Sequence, residues 1–144
     1  MRMSGWTRYL LAPLFLLLAS CGDPQAPTGY WEGFIDSPSW IIVVRLQVED
    51  GNRIRASALS AGVDGMTLPD KFTVARQLKT EMQKQWPQAV RGQVDFHGNT
   101  MTRAGHVAPL FVYDERRRTM TFYFYAGGKL AEKVLCIPVE KFAG

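Results

Sequence analysis

Chemistry in a chain of 144 residues needs titratable or nucleophilic side chains brought together, and this sequence offers few. Its histidines are His97 and His106. Asp95 and His97 share one face of an extended chain, and with His106 across a hairpin they are the one set of N and O donors suited to Zn²⁺. The close H-x-x-x-H and paired C-x-x-C spacings of a built zinc site are missing, so a polar turn and a solvated loop are expected, with no metal and no cofactor. Glu32 and Asp36 come nearest to an acid and base pair, a role that requires a perturbed pKa. Ser57 and Ser60 lack the G-x-S-x-G context of a nucleophile elbow. Cys136 lies in the apolar stretch Val134-Leu135-Cys136-Ile137 with no neighbouring cation in sequence to lower its pKa, and is expected as a small core residue. No catalytic residue is expected.

Two groups suit binding better than catalysis. Arg116, Arg117 and Arg118 form the sharpest charge run. Against an anionic surface each such charge is worth on the order of 1 kcal/mol. With Asp114 and Glu115 beside them, they also suit a solvated hairpin tip. Trp31, Trp40, Tyr123 and Tyr125 are candidates for contact with a ligand or a partner, since aromatics are enriched where proteins bind. Core packing is the alternative for all four.

The elements that must position these groups are mostly strands. Through Trp40 to Glu49, Ile42, Val44, Leu46 and Val48 alternate on one face, while the other face is apolar at Ile41 and Val43 and polar from Arg45 onward. Asp50-Gly51-Asn52 supplies turn chemistry before Arg53 to Leu59, where Ile54, Ala56 and Ala58 alternate. Thr67, Pro69 and Asp70 mark a helix start, and Phe72, Ala75, Leu78, Met82 and Trp86 recur at helical spacing until Pro87. Strands are expected again at Val90 to Phe96, Thr100 to Arg103, Leu110 to Asp114, Thr119 to Ala126 and Leu130 to Val139. About eight short strands and one amphipathic helix near 70–86 predict a mainly β fold, a small antiparallel barrel or sandwich. Phe122, Phe124, Leu46 and Ile42 are bulky enough to fill a small barrel.

At the N-terminus, Met1 to Arg8 carries Arg2 and Arg8 without an acidic residue, and Tyr9 to Leu18 is apolar except for Pro13. A permanent span needs roughly 20 apolar residues, and this run stops about halfway. It reads as the charged and apolar regions of a signal peptide. The run closes with Leu18-Ala19-Ser20-Cys21, which resembles the lipobox of bacterial lipoproteins. The resemblance implies a diacylglycerol on the Cys21 thiol, cleavage between Ser20 and Cys21, and acylation of the new amino group. Two or three acyl chains, at about 0.8 kcal/mol per buried methylene, hold essentially permanently. In such proteins an Asp directly after the cysteine favours the inner membrane. Here that position is Gly22, so the periplasmic side of the outer membrane is implied, with the inner membrane as the lesser alternative.

This organisation gives a cleaved signal peptide at 1–20, a lipidated tether at 21–28 and one β-rich domain at 29–144. Loss of 1–20 leaves 15 basic and 13 acidic residues, a balance that carries no expectation of a nucleic-acid partner.

Tyr30-Trp31-Glu32-Gly33, the Val44-Arg45-Leu46-Gln47-Val48 strand and Ala61 to Pro69 look like a lipocalin-like W-x-G β-module of secreted bacterial proteins. So does Arg91-Gly92-Gln93-Val94 leading through Met101-Thr102-Arg103 to Pro109-Leu110. The likeness spans residues 29 to 112, and the helix near 70–86 departs from the usual strand-rich middle. It implies a fold and leaves function open. The expected role is a non-catalytic binding or interaction module of the cell envelope, held to the membrane by its lipid and partnered by another envelope protein. The alternative is a carrier of a small apolar ligand in the barrel mouth. The lipobox makes a direct prediction: wild-type protein expressed in a Gram-negative host begins at Cys21, carries acyl mass and fractionates with the outer membrane, whereas Cys21→Ser does neither by intact mass and membrane fractionation.

Overall fold

Alternation of apolar and polar side chains along most of the chain dictates strands with one face turned to a common interior. A computed structural model describes residues 24–142, and Cys21 with the signal peptide lies outside them. The strands are β1 (Gly29–Asp36), β2 (Trp40–Glu49), β3 (Arg53–Gly62), β4 (Val90–His97), β5 (Thr100–Arg103), β6 (Pro109–Asp114), β7 (Thr119–Ala126) and β8 (Lys129–Val139). Each pairs antiparallel with the next, and β8 returns to β1 with Val139 opposite Tyr30 and Cys136 opposite Gly33. The expected small β-barrel with one helix is what the chain forms.

One helix, α1 (Leu68–Gln85), links β3 to β4, followed by a 3₁₀ turn at Trp86–Gln88. The Thr67 side chain caps it by accepting from the Asp70 amide at 3.4 Å. The helix lies across the outside of β2 and β3, which explains the second apolar face of β2: Ile41 and Val43 point outward and are buried beneath it. Phe72, expected on the packed stripe, is instead 63% exposed. The helix seats through Val74, Ala75, Leu78 and Met82, in a rotation that brings Lys71 Nζ within 3.4 Å of Asp36 Oδ1.

The barrel has two unlike ends. At one lie the turns at 50–52, 98–99 and 115–118 and the incoming residues 24–28. There Trp31 is 3% exposed and its indole Nε1 donates to the Arg118 carbonyl at 2.9 Å. The part of the expected tether that is described is not a free spacer. Ala26 is buried in the core, its amide donates to Asn52 Oδ1 at 2.7 Å, and Asn52 Nδ2 donates to the Pro24 carbonyl at 2.8 Å. Asn52 sits at φ 56°, a left-handed conformation that asparagine tolerates, and its carbonyl accepts from the Val94 amide. One side chain thus ties the incoming segment to the β2–β3 turn, and the same residue's backbone holds β4.

The glycine of the W-x-G sequence has a packing cause. A Cβ on Gly33 would lie 2.5 Å from Cys136 Sγ and 2.8 Å from the Leu135 carbonyl, so only glycine lets β8 cross β1 this closely. A Cβ on Gly92 meets nothing within 4 Å. Gly33→Ala is therefore expected to lose about 1–3 kcal/mol of stability in urea unfolding, as overpacked cores do, while Gly92→Ala stays close to wild type.

Candidate functional site

The interior is filled on one side and hollow on the other. Ile42, Val44 and Leu46 of β2 pack with Phe111, Met120, Val134 and Cys136 into the core, and Trp40 meets Phe124 edge-on at 5.8 Å. Across from them, β3 turns Ala56 and Ala58 inward above Ile54, and β4 turns Gly92 inward between Val94 and Val90 at the rim. The missing side-chain volume leaves a cavity of about 850 Å³, with Phe111 and Phe122 on its far wall. Bulky residues were expected to fill the barrel; they fill half of it.

The cavity opens because the wall parts. β3 pairs with β4 only from Arg53 to Ala56, opposite Gln93 to Val90, so Ser57 onward has no strand partner on that edge. Ala58 is consequently exposed although it faces inward, and Val90 is 74% exposed at the rim. Arg91, Arg103 and His106 also line the opening. The end occupied by residues 24–28 is closed, and the opening lies toward the other.

The aromatic candidates do not converge. Trp31 is core at the closed end, and Trp40 is half-buried against Phe124. Tyr123 and Tyr125 point outward from β7, the first beneath Lys133 Nζ at 5.0 Å and the second donating its hydroxyl to the Pro109 carbonyl at 2.8 Å. Arg116, Arg117 and Arg118 occupy an exposed turn at the closed end, where Asp114 Oδ1 accepts from the amides of Arg116 and Arg117.

The chemical candidates are likewise dispersed. His97 ends β4 at the closed end, His106 lies in the loop after β5 at the other, and both are exposed. Among the described residues no three of His, Cys, Asp and Glu are grouped to hold a metal. Glu32 and Asp36 both face outward, and each stands against its own cation: Arg45 Nε at 3.1 Å from Glu32, Lys71 from Asp36. They fasten strands and helix rather than face a cleft together.

Nothing in the sequence points directly to the cavity residues, because alanine and glycine on an inner face carry no chemistry of their own. The signal was comparative: Ala56 and Ala58 stand at inward positions where the neighbouring strand has Leu46 and Val44.

In comparisons with known proteins, no family model matches the chain, and no curated protein or solved structure is significantly similar to it.

Cys136 is fully buried on β8, and burial pushes its thiol from 9 up to about 12, with a backbone hydrogen bond at Phe122 only partly opposing. Folded protein is expected to resist an aromatic disulfide reagent that labels the unfolded chain stoichiometrically. Between pH 9 and about 12 the unfolded thiol ionises while the folded one does not, so this contribution is full below pH 9 and is lost as pH rises. Urea midpoints measured across that range should fall more steeply for wild type than for Cys136→Ala.

Proposed function

We propose that this protein is a non-catalytic binding module of the bacterial cell envelope that carries a small apolar ligand in the open half of its barrel. Lipid on Cys21 would hold it at the periplasmic side of the outer membrane. The observation that carries the proposal is the cavity of about 850 Å³, walled by Ile54, Ala56, Val94, Phe111 and Phe122 and open to solvent at one end. Pockets for small organic molecules fall at about 300–1,000 Å³ and are mainly apolar. Covering apolar surface is worth about 25 cal/mol per Å², so a ligand that excludes water from these walls gains several kcal/mol without a specific hydrogen bond. Among the described residues no helix is long and apolar enough to cross a membrane, so the proposed attachment rests on the lipidated cysteine.

A second reading, docking of an envelope protein, is favoured by a different surface. Phe34, Leu135 and Ile137 point outward from β1 and β8, and all three are exposed beside the groove that Met82 of α1 helps to floor. The two readings use different faces and are separable by mutation.

The neutral fluorophore N-phenylnaphthylamine is expected to brighten on binding to wild type. The doubly substituted Ala56→Leu, Ala58→Phe protein, checked for folding by circular dichroism, should lose that response, while Leu135→Ser, Ile137→Ser retains it. Equal fluorescence from wild type and the filled variant would remove the cavity from the account.

A further inference from the structure

The mouth of the cavity is polarised. Arg91 and Arg103 line it, His106 is beside them, and no aspartate or glutamate contributes to the lining. Of the strands that border it, β3, β4 and β5 show the same bias. β3 contributes Arg53 and Arg55, β4 contributes Arg91 and β5 contributes Arg103, against Asp95 as the acidic residue of all three. Asp95 does not line the cavity.

Neither Arg91 nor Arg103 is in an ion pair among the described residues; Glu32 pairs with Arg45 and Asp36 with Lys71. Arg91 is also set directly opposite Arg55 in the β3–β4 register. Like charges opposite one another are destabilising, and the acidic residue nearest in the adjoining register, Glu49 of β2, stands opposite Arg53 rather than this pair. Arg55 is partly engaged, donating through Nη2 to the Trp86 carbonyl at 2.7 Å and lying over the Trp86 ring at 4.8 Å. Arg103, opposite Val94 on the inner face, and Arg91, on the outer face of β4 at the parted β3–β4 edge, remain exposed at the rim of the apolar chamber from its two sides.

We infer that the ligand is a single-chain anionic amphiphile whose tail enters the chamber walled by Ala56, Phe111 and Phe122 and whose carboxylate or phosphate head is held at the mouth by Arg91 and Arg103. This rests on the cavity reading and adds the head group to it. Arginine suits the task because its planar fork binds carboxylate and phosphate oxygens through charge-assisted hydrogen bonds. The arrangement also gives direction, since a charged head left outside prevents the molecule from entering head first.

The test is competition against bound N-phenylnaphthylamine by dodecanol, dodecanoate and dodecyl phosphate, which share a tail and differ in the head. Both anions should bind about tenfold more tightly than the alcohol, as expected for charge-assisted contacts at a partly solvated site, and the ratio should shrink with added salt. Which anion binds more tightly identifies the head as carboxylate or phosphate. Arg91→Gln with Arg103→Gln should bring the anions down to the alcohol's affinity, whereas Arg116→Gln at the closed end leaves the ratio intact. If all three bind wild type equally, the anionic head is wrong and the apolar cavity stands. If none displaces the fluorophore, the cavity reading fails and this inference fails with it.

Discussion

Closure of the sheet between β1 and β8 is the constraint on which the rest of the molecule depends. That seam is the crossing at which an ordinary side chain on Gly33 would collide with Cys136 and the β8 backbone. With the crossing made, Trp31 is carried two residues away into the core and its indole reaches Arg118 on the far turn. Barrels remove the exposed strand edges that an open sheet would present. Here a glycine and a small thiol, opposite one another, set how tightly the ring can be drawn.

A ring of eight strands encloses a volume that side chains must either fill or leave open. This chain does both. Large residues on β2, β6, β7 and β8 make a packed half that supplies the folding energy, and small residues on β3 and β4 leave the other half free. The helix supports this division from outside: it buries Ile41 and Val43, so β2 is packed on both faces where the wall is firmest. Rigidity and emptiness are thereby assigned to different strands.

Much of this was legible in the sequence, and the failures have physical causes. Strict alternation found the strands, and Thr67 with Pro69 and Asp70 marked the helix start, because both signals are local. Phe72 misled because hydrophobic spacing gives a face only to within one residue, while the helix seats on β2 and β3 through Val74, Ala75, Leu78 and Met82. Pro24 to Thr28 looked like a spacer by composition, yet Asn52, on a turn more than twenty residues further along the chain, binds that segment. Charge and aromaticity drew attention to His97, His106, Tyr123 and Tyr125, which folding scatters. The cavity depends on what is absent from Ala56, Ala58 and Gly92, and absence becomes visible only when the opposing strands are in place.

The docked segment also fixes an attitude. If Cys21 bears the proposed anchor, only residues 22 and 23 lie between it and Pro24, a reach of about 10 Å. The closed end of the barrel would then rest on the bilayer like the base of a cup, with the opening directed into the aqueous space beyond. On the proposed reading such a cup would not draw its contents from the leaflet beneath it. It would exchange cargo with whatever approaches from the opposite side, as a receiving station rather than an extractor.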